Sequence, residues 1–287
     1  MEINNPRGII LMALGFALFA VADTIAKVLL DYYPPLQVVF LRQLGLFFGV
    51  NLIMLYNLKW VGKTHNFSKQ LMRGLTQAGS AVIFLVGLRT IPIADATSIA
   101  FVAPLFVIVF SYFILKEPIG FRRWLAVLIG FSGTLIIIRP GFEIINLGHL
   151  FIIIAALLFA LRQILSRLLA STDDPITTAF FTAYTSVFIF VLFQPWVWTP
   201  ITDKNHIFLF LVYAAFAGTA EFLVIKSLQI AHAVVVSPLQ YTLLIWVTIL
   251  GFIIWGILPD FWTFLGAGVI IATGLYSLHR ERLRKSQ

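Results

Sequence analysis

Asp23, Lys27, Arg42, Arg162 and Glu221 are the side chains best placed to do chemistry, because each interrupts a long apolar run. A charge near the centre of a bilayer costs from about 2.5 to more than 10 kcal/mol, so such a side chain is expected to face a cavity or a partner. Asp23 and Lys27 are four residues apart, on one face of a helix, where they can neutralise each other. Lys27 stands nearer the end of its run and can extend its amine to the interface, which leaves Asp23 the more exposed to an interior cavity. Glu221, in AGTAEFLVIK, has no basic residue three or four positions away. An isolated glutamate in low dielectric is expected to carry a proton or to hold a cationic group, the structural alternative being a hydrogen bond to a neighbouring helix. Arg42, and Arg162 with Gln163, can meet these acids across helices or hold an anionic group. For Arg42 the plainer role is a structural ion pair, and for Arg162 reach to the headgroups.

Other chemistries lack their residues. The chain has no cysteine, and its five histidines, at positions 65, 149, 206, 232 and 279, are scattered over loops and helix ends, so no metal site is expected. No GxxxxGK[ST], HExxH or GxSxG motif occurs, and no loop is long enough for a nucleotide-binding domain, so neither a cofactor nor an enzyme is expected.

The elements that must hold these residues are helices in a membrane. Of 287 residues, 60% are hydrophobic and 11% charged, a surface that no soluble domain of this size tolerates. With about 20 apolar residues per span as the ruler, ten spans follow. They are Gly8–Leu30, Leu36–Tyr56, Leu71–Leu88, Thr97–Leu115, Trp124–Ile138, Leu147–Leu169, Ile176–Trp196, Ile207–Leu228, Val234–Ile257 and Phe261–Leu278. Backbone amides in lipid must pair within their own segment, which leaves helices as the reading. Breakers such as Pro34-Pro35, Pro118 and Pro140-Gly141 fall between them. Arg7 precedes a run long enough to span, with no small-residue cleavage site behind it, so the first run is read as a helix and not a signal peptide.

Much of the first half is written again about 140 residues later: Leu88 falls on Leu228, Val107 on Val247 and Phe121 on Phe261. Such a period predicts two five-helix units, at residues 8–140 and 147–279, followed by a basic tail at 280–287. Five spans is an odd number, so the second unit enters the membrane from the opposite side. The charges agree. The loop KEPIGFRR carries Lys116, Arg122 and Arg123, while its counterpart GILPDFW has no lysine or arginine. With both termini cytoplasmic, roughly 15 of the 20 Lys and Arg lie on the inner side, which accounts for the net charge of +8 without a nucleic-acid partner.

The fourth and ninth spans supply the rest of an expected pocket. Phe101 aligns with Tyr241 and Ala100 with Gln240, and each span contains a proline, Pro104 or Pro238, that frees a carbonyl and permits a bend. Tyr241, Trp246 and Phe101 can stack on a flat or cationic ligand, though in a chain with 28 phenylalanines most aromatics pack or face lipid. Gln77 and Ser80 on the third span are polar enough to line a cavity or to bond between helices. Gly130, Gly133, Gly266, Gly268 and Gly274 allow close helix approach in the fifth and tenth spans, within the chain or in a homodimer.

These pieces together resemble the drug/metabolite transporter superfamily, EamA type. They are DTIAK (Asp23 to Lys27), LRQ at Leu41 to Gln43, ADATSIAFVAPL at Ala94 to Leu105, LKEPIGFRRWLAVLIGFSGTLIIIRPG from Leu115, ALRQILSRLLA from Ala160, and the stretch from Ser237 to Tyr276. The resemblance implies an all-α membrane protein of ten transmembrane helices in two inverted five-helix repeats, with a central cavity between them. It implies a secondary transporter of small organic solutes in a bacterial inner membrane, and it takes in amino-acid and drug exporters as well as uptake carriers for S-adenosylmethionine or riboflavin. Glu221 departs from the pattern, since many similar sequences have a neutral residue or histidine there. Two intramembrane acids beside aromatics favour a cationic, zwitterionic or flat ligand; an intramembrane enzyme and a channel are the alternative readings.

Overall fold

A computed structural model describes residues 5–57, 62–116, 121–138, 146–169, 172–230 and 237–285. The described residues form helices throughout: α1 (Asn5–Leu29), α2 (Pro35–Asn57), α3 (Phe67–Thr90), α4 (Ile93–Ala100), α5 (Ala103–Phe113), α6 (Phe121–Ile138), α7 (Leu147–Leu169), α8 (Pro175–Val197), α9 (Lys204–Ile230), a 3₁₀ turn at Ser237–Tyr241, α10 (Thr242–Trp255) and α11 (Phe261–Lys285). Seven helices are long and apolar enough to cross a membrane, α4 and α5 counting as one broken span, and α6, α10 and α11 hold shorter apolar stretches. Ten helical spans result. The tenth runs past its expected end at Leu278 to Lys285, into the basic tail. Lys59, Pro118, Pro140-Gly141 and the expected start of the ninth span at Val234 lie outside the described residues.

One span is interrupted where the sequence places proline. Pro104 stands in the first turn of α5 and has no N–H to offer the carbonyl four residues back, so α4 stops at Ala100. Tighter bonds carry the chain across the step, from Val102 N to Ile99 O at 3.0 Å and from Leu105 N to Val102 O at 2.9 Å. In the ninth span the 3₁₀ turn at Ser237–Tyr241 takes the equivalent place before α10.

Helix pairing is reciprocal between the halves. α1 packs on α9 and α7 on α3; α2 crosses both α8 and α9, and α3 also crosses α8; α6 lies along α11. The same crossing is made twice. A Cβ on Gly45 would run into the carbonyl of Ala214, and one on Gly74 would lie 2.6 Å from the Cβ of Thr185. Gly45 precedes Thr185, and Gly74 precedes Ala214, by the same 140 residues. Each crossing therefore needs one glycine, and either half can supply it. In like manner Ser80 Oγ donates to Ala155 O at 2.9 Å and Ser227 Oγ to Gly8 O at 2.7 Å, so that antiparallel neighbours are stitched by hydroxyls.

Of the glycines in the fifth and tenth spans, Gly133 and Gly266 are used where α6 crosses α11, a Cβ on the former standing 2.8 Å from the carbonyl of the latter. Gly268 faces open space. Loop contacts join the halves at both ends of the bundle. At one, Thr64 Oγ1 and Gln70 Nε2 donate to Asp173 at 2.7 and 2.9 Å; at the other, Gln37 exchanges two bonds with the backbone of Thr199, at 2.8 and 2.9 Å.

Gly45→Val sets a side chain against a backbone carbonyl that has no rotamer to yield, an overpacking expected to cost about 1–3 kcal/mol. Thermal unfolding of purified protein in detergent should show a midpoint several degrees lower, with Gly268→Val unchanged; equal behaviour of the two variants would contradict the crossing described.

Candidate functional site

The interior polar groups form one column through the bundle. On α9, Tyr213 and Glu221 lie eight residues apart along one stripe, with buried Ala217 between them. Arg42 on α2 interacts electrostatically with Tyr213, Asp23 and Glu221, and its guanidinium lies 5.8 Å from the ring of Phe19, one turn from Asp23 on α1. On α7, Arg162 sits 3.8 Å from the Glu221 carboxylate, donates to Gln77 Oε1 on α3, and covers the Phe159 ring at 4.4 Å. Arg73, one turn before Gln77, donates through Nε to Ser166 Oγ at 2.7 Å and through Nη1 to Thr182 Oγ1.

Three expectations change. Glu221 is not isolated: its partner comes from α7, where counting along its own helix cannot see it. Arg162 does not reach to the headgroups; it is 8% exposed and turned into the bundle. Lys27 does not pair with Asp23. Its Nζ donates to Ile91 O at 2.8 Å and to Leu88 O, carbonyls at the end of α3 that have no further helical N–H to accept from. Asp23 is left to Arg42.

Phe101 and Tyr241, both buried, meet edge to face with ring centroids 5.2 Å apart. They belong to the same apolar core as Tyr213 and Ala217. Gln240 is half-buried beside Tyr241. Trp246 is not part of this group: it is 42% exposed on the face of α10 that carries Ile245 and Ile249. A separate cavity of about 240 Å³ opens between the ends of α3, α4 and α10, lined by Lys27, Arg89, Pro92, Val247 and Trp255, and the charged column does not border it.

Sequence reasoning missed Arg73, Tyr213, Ser166 and Thr182. A signal was present: Arg73 and Tyr213 are 140 residues apart, as are Arg42 and Thr182. The Arg73–Thr182 bond thus has Tyr213 and Arg42 at its counterpart positions, with the arginine on the other partner. Among the described residues no group of His, Cys, Asp and Glu is arranged to hold a metal ion.

The column is buried charge in a membrane bundle, suited to binding a polar solute. Similarity to known proteins agrees. The profile of the EamA-like transporter family matches residues 6–139 and again 146–278. An S-adenosylmethionine uptake transporter of Rickettsia prowazekii (strain Madrid E) is 26% identical over 96% of this chain and 94% of its own. A riboflavin transporter of Rhizobium johnstonii is 24% identical over 78% of this chain and 74% of its own. A solved crystal structure with 15% identity superposes with a TM-score of 0.68, covering 98% of this chain and 99% of that one, which shows the shared fold. The chain belongs to the EamA-like transporter family and is a membrane-embedded secondary transporter of a small metabolite, not an enzyme.

Proposed function

We propose that this carrier moves a solute with a flat heteroaromatic ring, of the S-adenosylmethionine or riboflavin kind, across the bacterial inner membrane by alternating access. The observation that carries the reading is the meeting of Phe101 and Tyr241, one from each half, at the step between α4 and α5 and at the end of the 3₁₀ turn before α10. Discontinuous helices in corresponding halves are where carriers of this architecture bind solute, and a parted pair of aromatic rings accepts a flat ring between them. The substrate names of the relatives share that ring. Asp23, Arg42, Gln77, Glu221 and Gln240 line the polar side; Lys27 serves the end of α3.

Inversion of the two halves is supported by the pairing. α1 lies antiparallel on α9, Gly8 meeting Ser227 and Gly15 meeting Ala220. As alternate spans, α1 and α3 run the same way, so α9 opposes α3, its own counterpart. The distribution of Lys and Arg then puts both termini in the cytoplasm. Glu221 is the acid on which the interior cations converge: Arg162 of α7, Arg73 of α3 and Arg42 of α2 all bear on its carboxylate.

Liposomes containing the purified chain should accumulate radiolabelled S-adenosylmethionine saturably, with riboflavin competing. Phe101→Ala and Tyr241→Ala should each raise the half-saturation concentration about tenfold, the worth of one aromatic contact; unchanged values would remove the ring site. Glu221→Gln should transport markedly more slowly than the wild type, and an unchanged rate would remove Glu221 from the transport path. Because the chain has no cysteine, single Glu2→Cys and Ser286→Cys variants report topology directly. Both should resist an impermeant thiol reagent in intact cells and react after permeabilisation; labelling of one terminus alone would refute inversion.

A further inference from the structure

The charged column is unbalanced. Arg42, Arg73 and Arg162 stand against Asp23 and Glu221, all linked electrostatically, so the interior holds three formal positive charges and two negative. A cation excess away from water is stable when something anionic joins it.

Arg162 is the member with capacity to spare. Its Nη1 is committed to Gln77 and faces Glu221, while its Nε is buried and without a hydrogen-bond partner among the described residues. At 3.8 Å the Glu221 carboxylate stands beyond hydrogen-bonding distance. The Glu221 side chain keeps 23% of its surface exposed. Where the second half has Arg162 and Glu221, the first half has Ala22 and Ala81, both buried.

We infer that the free Nε edge of Arg162, beside the partly exposed Glu221, clamps a carboxylate carried by the transported solute. A guanidinium presents parallel N–H groups along an edge, a match for the two oxygens of a carboxylate, and Phe159 beneath it fixes the plane. Arg73 adds positive charge and is anchored to Ser166, whose own Oγ donates to Arg162 O at 2.8 Å, so the two arginines are held in register. The inference rests on the carrier reading above and sharpens it. A solute with an amino-acid head fits the site, and a neutral ring such as riboflavin leaves the clamp unused.

The test is thermal unfolding of the full chain in detergent with ligand pairs that differ at the carboxylate: S-adenosylhomocysteine against its carboxamide, and tryptophan against tryptophanamide. The carboxylate member of at least one pair should raise the wild-type midpoint and its partner should not. Arg162→Gln should weaken that binding about 30-fold or more, and Arg162→Lys, which keeps the charge but not the fork, should recover part of it. Each variant is first shown to be monodisperse, so that loss of response is not loss of fold. The clamp is overturned if the carboxylate-free ligands stabilise equally, if Arg162→Gln responds as wild type does, or if no carboxylate ligand shifts the wild type. In that last case riboflavin uptake into liposomes would leave the carrier reading standing, whereas carboxylate binding through Arg162 without any uptake would leave the clamp and remove the carrier reading.

Discussion

An ionised side chain inside a membrane must be matched by another group, and the interior of this protein is arranged around that requirement. The bridge between Arg162 and Glu221 is its clearest instance. Removing one partner of such a pair costs about 3–5 kcal/mol, while replacing both with apolar groups of suitable shape is often neutral. The molecule contains the comparison within itself. Ala22 and Ala81, both buried, occupy the counterpart positions. The first half therefore folds without a charged pair at this level.

Close helix approach has to come from small residues, because lipid tails are as apolar as leucine and offer no hydrophobic drive between helices. Gly45 against Ala214 and Gly74 against Thr185 bring backbones together at related crossings. Ser80 and Ser227 add hydrogen bonds where neighbouring helices run antiparallel. The result is a scaffold whose closest contacts lie on α1–α9, α3–α7 and α6–α11, while the fourth span breaks at Phe101 and a 3₁₀ turn ends at Tyr241 in the ninth. A carrier that exchanges access between two sides needs a division between close-packed pairs and irregular segments.

The ten spans, the doubling of the chain and four of the interior charges, Asp23, Arg42, Arg162 and Glu221, were legible in the sequence, because each depends on local quantities: run length, apolar content, spacing of proline and glycine. Even the contact of Phe101 with Tyr241 was foreshadowed by their alignment at equivalent places in the two halves. Choice of partner was not legible in the same way. Four-residue spacing made Asp23 the natural neighbour of Lys27, yet the exposed carbonyls of Leu88 and Ile91 at the end of α3 offered the amine two acceptors that no helix count could reveal. Glu221 looked solitary because its partner lies 59 positions away in sequence, at Arg162. Hydropathy determines which segments are helical and buried; which charged tips then meet depends on how those helices cross, and only the packed bundle decides that.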